Sequence, residues 1–102
     1  MYFISGFYKF KKISNLKKSK KVMQAFFINN SIRGSIIISE EGINGTISAK
    51  KKNLDEAINK IKKTFTFSNF DSVNYSKCNY QPFHRGKVKI KKEVVPIGIK
   101  IY

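Results

Sequence analysis

The apolar positions change their period along the chain, and the changes mark out elements. Residues 2–10 alternate around Tyr and Phe with Ile4 and read as a strand, interrupted by Ser5-Gly6. Leu16, Met23, Phe26 and Phe27 then fall near one helical face with Val22 at its edge, so a helix is predicted to about Ile28, capped by Ser14 or Asn15. Asn29-Asn30-Ser31 and Gly34 punctuate a turn. Residues 35–39 read as a buried-type strand and residues 46–49 as a second one. Asn53-Leu54-Asp55-Glu56 predicts a helix start, with Asn53 as cap and Glu56 closing a capping box. Leu54, Ala57, Ile58, Ile61 and Phe65 recur at helical spacing and are assigned to the core. Residues 73–80 and 87–95 read as two further strands, separated by residues 81–86.

Two helices of this length need one face of a sheet to bury their apolar stripes. The expected fold is therefore α+β, a ferredoxin-like two-layer sandwich: β-α-β-β-α-β plus a C-terminal strand, with an antiparallel sheet. At 102 residues the chain forms one domain, and no linker, repeat or low-complexity segment divides it. No apolar run approaches the length of a membrane span, and the N-terminal stretch lacks the basic leader of a signal peptide. Cys78 is the single cysteine, which excludes an internal disulfide, and with one His a structural Cys/His zinc site has too few ligands. A reducing, cytoplasmic location fits this usage, and no metal or cofactor is expected.

Charge changes the picture next. The net charge is +15, and residues 1–30 carry seven lysines and no acid. Such a domain attracts polyanions, nucleic acid above all. All but two of the 21 basic residues are Lys, however, and Ile and Asn are abundant, a composition that an AT-rich genome also produces. Position is therefore more informative than the total. Lys17, Lys18, Lys20 and Lys21 crowd the start of the first helix against its macrodipole, which points either to a nearby anion or to the same lysine inflation. Lys87, Lys89 and Lys91 alternate with Val88 and Ile90, so they share one face of the last strand. Such a row protects a sheet edge from pairing, and it also tracks phosphates. His84 and Arg85 precede the row and can stack on or hydrogen-bond a single-stranded base; Phe83 reads first as a core plug. Arg33 and Arg85, retained where Lys is so strongly preferred, hint at a need for a planar guanidinium. The RNA-binding candidates are Arg33, His84, Arg85, Lys87, Lys89, Lys91 and Lys92.

Enzymatic constellations are sparse. Cys78 and His84 lack an orienting acid, and Cys78 reads as a strand residue. Glu40 and Glu41 are adjacent, and neighbours on a strand face opposite ways, which suits paired acid-base work poorly. Acylphosphatase chemistry needs an anion-cradling loop with an Arg after the first strand, where this chain offers Lys9, Lys11 and Lys12. No catalytic residue is assigned. The segment Ser39-Glu40-Glu41-Gly42-Ile43-Asn44-Gly45-Thr46 remains. Its Asn-Gly pair is a hairpin signal, and the whole reads either as a slightly long hairpin loop or as a loop shaped for a partner or a neighbouring domain. Glu40, Glu41, Gly42, Asn44 and Gly45 are the loop or interdomain candidates.

Two segments together resemble a known family. Arg33-Gly34-Ser35-Ile36-Ile37-Ile38-Ser39-Glu40-Glu41-Gly42-Ile43-Asn44-Gly45-Thr46-Ile47-Ser48 and Pro82-Phe83-His84-Arg85-Gly86-Lys87-Val88-Lys89-Ile90-Lys91-Lys92-Glu93-Val94-Val95 are similar to the signatures of the rhodanese-domain tRNA uridine hydroxylases, and Tyr8-Lys9-Phe10 fits their first strand. The resemblance implies an acylphosphatase-like N-terminal module over residues 1–98, with residues 99–102 beginning the link to a rhodanese domain that carries the catalytic cysteine. It implies an oxygen-dependent enzyme that places a 5-hydroxyl on the wobble uridine of tRNA. The expected partners are the tRNA anticodon arm and a rhodanese domain of the same or a separate polypeptide, with no membrane. The expected function is RNA positioning and docking; a purely structural docking module and an acyl-phosphate hydrolase are the rivals.

Overall fold

The structure, a computed structural model, describes residues 1–91. Seven elements follow in chain order: β1 (Tyr2–Phe10), α1 (Leu16–Asn29), β2 (Arg33–Ser39), β3 (Gly42–Ala49), α2 (Lys51–Phe65), β4 (Ser72–Cys78) and β5 (Gly86–Ile90). The strands form one sheet in the order β4-β1-β3-β2-β5. The first six elements make the expected β-α-β-β-α-β sandwich. The last strand departs from the expectation: β5 pairs with β2 in parallel, so the sheet is mixed. The reason lies in where β4 ends. Cys78 pairs with Tyr2, at the end of the sheet where β2 begins. Residues 79–85 cross that end from one edge of the sheet to the other, about 19 Å at the usual strand spacing. Without a helix to carry the chain back, a strand started there must run alongside β2. Gln81 Nε2 donates to the Ser48 carbonyl at 3.4 Å and ties the crossing link to the end of β3.

Alternation along the strands puts Phe7, Ile36, Ile38, Ile43, Ile47 and Val88 on the side covered by the helices. Met23 and Phe27 of α1 and Leu54, Ala57, Ile58, Ile61 and Phe65 of α2 close over them. All five core positions expected of α2 are buried. Each fully buried large aliphatic or Phe side chain contributes about 1.5–3 kcal/mol. Leu16 and Phe26 pack at the margin of the core.

The two predicted helix caps fare differently. Asn15 stands at the N-cap of α1 with φ 53°, a left-handed backbone, and its side chain makes no capping bond. Its carbonyl takes the Ser19 N–H at 3.0 Å. Asn53 lies inside α2, which starts directly after β3 with Lys50 in the cap position. Nor does Ser5-Gly6 interrupt β1, which pairs continuously with β3.

The Asn44-Gly45 pair is inside β3 and is not the turn. Glu40-Glu41 alone connects Ser39 to Gly42, which pair across the hairpin. Gly42 is held at φ +146°, and a Cβ there would lie 2.0 Å from the Lys9 carbonyl oxygen. Gly45 lies beneath Ile36, whose Cγ2 would be 2.6 Å from an added Cβ. These glycines answer to close approach by neighbouring strands.

An amide from α1 secures the outer edge of β5. Gln24 Nε2 donates to the Gly86 carbonyl at 2.9 Å, and the Val88 N–H donates to Gln24 Oε1 at 3.0 Å. One side chain thus satisfies a donor and an acceptor that an edge strand otherwise leaves open.

Candidate functional site

The helices cover one side of the sheet, and the registers determine what the other side displays. One row across the helix-free face reads Asn74, Gly6, Thr46, Ser35, Lys87 from β4 to β5. The next reads Ser72, Tyr8, Asn44, Ile37, Lys89. A third runs Ser76, Ile4, Ser48, Arg33. The middle row, through Gly6, is thus small and polar, with Tyr8, Ile37 and Ile4 in the rows beside it, and the β5 edge is cationic.

The predicted RNA-binding residues divide. Lys87 and Lys89 are exposed on this face while Val88 is buried beneath the helices, as the alternation required. Lys91 extends the ladder by one bond, its N–H donating to the Ile38 carbonyl at 2.9 Å. Arg33 opens β2 and is exposed. The Gly34 N–H donates to the Arg85 carbonyl at 2.9 Å, so the chain's two arginines are backbone neighbours across β2 and the start of β5. His84 is exposed in the crossing link. Phe83, expected as a core plug, is half-buried and belongs neither to the core nor to the rings packed on it. Lys92, the strand prediction beyond Lys91 and the domain boundary at residues 98–99 lie outside the described residues.

The Glu40-Glu41 turn has a structural role through its backbone. The Lys11 N–H donates to the Glu41 carbonyl at 2.9 Å and the Ile13 N–H to the Glu40 carbonyl at 3.1 Å. The Glu41 N–H donates to Ser39 Oγ at 3.0 Å. The carboxylates themselves stay exposed. Two amides of the β1–α1 loop are therefore engaged by the turn and cannot cradle an anion there. Asn44, on the helix-free face, sits between Tyr8 and Ile37. Cys78 is half-buried at the end of β4. Among the described residues no group of three or more His, Cys, Asp or Glu could hold a metal ion, and no helix is long and apolar enough to cross a membrane.

Sequence reasoning gave no functional role to three residues of this face, Tyr8, Phe10 and Asn74, and treated Thr46 only as the end of the loop segment that starts at Ser39. Tyr8 is 36% and Phe10 50% exposed, and their rings meet edge to face at 5.3 Å. The alternation of β1 was the available signal for the two aromatics. Thr46 and Asn74 are brought beside Gly6 only by pairing.

The fold and this face define an acylphosphatase-like ferredoxin domain. Among solved structures, the acylphosphatase from Bacillus subtilis matches with a TM-score of 0.60 at 10% identity, covering 86% of this chain and 98% of that one. At that identity the likeness concerns the fold alone. The chain belongs to the family described as the UPF0176 acylphosphatase like domain, which matches residues 2–94. A protein of Pelagibacter ubique named tRNA uridine(34) hydroxylase is 54% identical over 99% of this chain and 34% of its own length. A protein of Ehrlichia ruminantium with the same name is 37% identical over 97% of this chain and 36% of its own length. The chain thus spans about a third of the length of these curated relatives, and the family reading from the two motifs is borne out.

Proposed function

We propose that this chain is the RNA-positioning and docking module of a tRNA uridine-5-hydroxylase, which forms 5-hydroxyuridine at the wobble position with molecular oxygen. The chemistry belongs to a rhodanese domain with its own catalytic cysteine, joined to residues 1–98 through residues 99–102 or acting as a separate chain in the cytoplasm. The observation that carries the reading is the cationic edge of the helix-free face. Lys87, Lys89 and Lys91 extend along β5 and its continuation, with Arg33 and Arg85 neighbouring at its start. His84 of the crossing link precedes this set, and Lys92, next to Lys91 in the sequence, is counted with it. Five cations along β5 and the adjoining start of β2 suit the phosphates of an anticodon arm, because each neutralised phosphate releases counterions.

The exposed carboxylates of Glu40 and Glu41, with Gly42, Asn44 and Gly45 shaping the hairpin beneath them, would face the rhodanese domain. Their backbone is pinned to the β1–α1 loop, so they form a fixed acidic corner on a basic domain.

Titration of tRNA against this chain over a series of salt concentrations tests the proposal. Replacing Lys87, Lys89 and Lys91 by Ala is expected to weaken binding and to flatten the salt slope by about 2, at about 0.7 per single-stranded phosphate contact. No tRNA binding even at low salt overturns it. Tight association with a separately expressed rhodanese domain in that case favours the purely structural docking module. Hydrolysis of benzoyl phosphate is expected to be absent, because two amides of the loop that would cradle the phosphate are engaged by the Glu40-Glu41 turn.

A further inference from the structure

We propose that the helix-free face holds an unpaired RNA base against the shallow notch at Gly6, flanked by Thr46 and Asn74. The inference rests on the RNA-positioning reading and adds a base-reading site to its phosphate-binding edge. Gly6 lies on β1 between β4 and β3, and its missing side chain leaves a shallow notch about one methyl group deep, towards which the Asn74 and Thr46 side chains lean. A Cβ built there would lie 3.2 Å from Asn74 Oδ1, 3.6 Å from Asn74 Nδ2 and 3.6 Å from Thr46 Oγ1. The walls therefore present an amide and a hydroxyl, with both donors and acceptors. Both residues are exposed, and among the described residues no hydrogen bond engages either side chain. An Asn amide pairs in two-point fashion with a base edge, and a Thr hydroxyl serves either a donor or an acceptor.

Stacking has its partner one step along the same strand. Tyr8 lies two residues from Gly6, about 7 Å away on the same face, with Phe10 beyond it at ring contact. An exposed aromatic on a central strand beside a polar notch gives an unpaired base both a stacking surface and an edge to read. Phosphate contacts lie at the end of the same row. Gly6 and Lys87 are separated by three strand spacings, about 14 Å. A short run of RNA backbone and a lysine side chain cover that distance. A paired duplex offers neither a free base face nor a free edge to this notch, because its bases are stacked and their edges already bonded.

The test compares the 102-residue chain and its variants on two RNAs of equal charge, an anticodon stem-loop and a blunt duplex. Gly6→Ala fills the notch and meets only side-chain atoms. Asn74→Ala removes the amide from an edge strand where the fold tolerates the loss. Tyr8→Leu removes the stacking ring. The wild-type chain is expected to prefer the stem-loop. Each variant is expected to lose about fivefold in stem-loop affinity, the equivalent of one net hydrogen bond or a weak stack. Duplex affinity and the salt slope should stay unchanged. Replacing Lys87 and Lys89 should instead weaken both RNAs alike. If Gly6→Ala and Asn74→Ala both bind the stem-loop as the wild type does, the base site is overturned while the phosphate-binding edge stands. If the wild-type chain binds neither RNA at low salt, both readings fall.

Discussion

Replacing Gln24 by Met keeps the bulk of the side chain but removes its amide. Two partly buried hydrogen bonds go with it, those to the Gly86 carbonyl at 2.9 Å and from the Val88 N–H at 3.0 Å. Each bond contributes about 0.5–1.5 kcal/mol net, and Met offers no replacement donor or acceptor, so the loss is about 2 kcal/mol. For a domain of this size that lowers Tm by roughly 8–16 °C. The effect should be local before it is global. β5 would then be held by β2 on one side and by the burial of Val88, so its amides should exchange with solvent faster than those of β1 and β3. Thermal melting followed by circular dichroism gives the first number, and amide hydrogen exchange at Val88 the second. Because β5 carries Lys87 and Lys89, the same variant should also flatten the salt slope of tRNA binding without touching a lysine. A Gln24→Met chain that melts within about 2 °C of the wild type, with Val88 equally protected, would refute the reasoning. It would mean that water replaces the amide at the strand edge without cost.

Four further outcomes are expected. Gly42→Ala places a Cβ against the Lys9 carbonyl at a backbone angle that L residues avoid, and should cost roughly 2–4 kcal/mol in urea unfolding, if it folds at all. Phe27→Ala empties a fully buried site beneath β5 and should cost about 3–5 kcal/mol by the same measurement. Asp71→Asn weakens the bond from the Phe10 N–H to Asp71 Oδ2, 2.6 Å long, and the Lys9 pair at 3.7 Å; exposure limits the loss to about 1 kcal/mol, read as a small Tm shift. Charge reversal at both Glu40 and Glu41 should leave Tm nearly unchanged, since only their backbone is engaged, while weakening association with a separately expressed rhodanese domain.

Much of the layout was legible because it depends on local periodicity. The α2 stripe Leu54, Ala57, Ile58, Ile61 and Phe65 is buried as its spacing required, and Val88 alternates inward between two exposed lysines. The two long motifs identified the family without any structure. The hairpin was misjudged because Asn-Gly is a turn signal only when the turn is what demands glycine. Here Gly45 is required by Ile36 and Gly42 by Lys9, and these neighbours come from other parts of the chain. The Asn53 cap failed for a related reason: β3 runs straight into α2, so the helix begins two residues before the local signal.

The chain's own pattern determined the elements, the buried stripe of each and the family, since all of these follow from residue order over short spans. Tertiary structure decided the direction of β5, the role of Gln24 and the company that Gly6 keeps. Alternation tells which residues of one strand share a face, but only register between strands sets Asn74, Thr46 and Lys87 in one row with Gly6. Register is set by hydrogen bonds between residues far apart in the chain, closed over a shared core, so it is a property of the folded sheet as a whole.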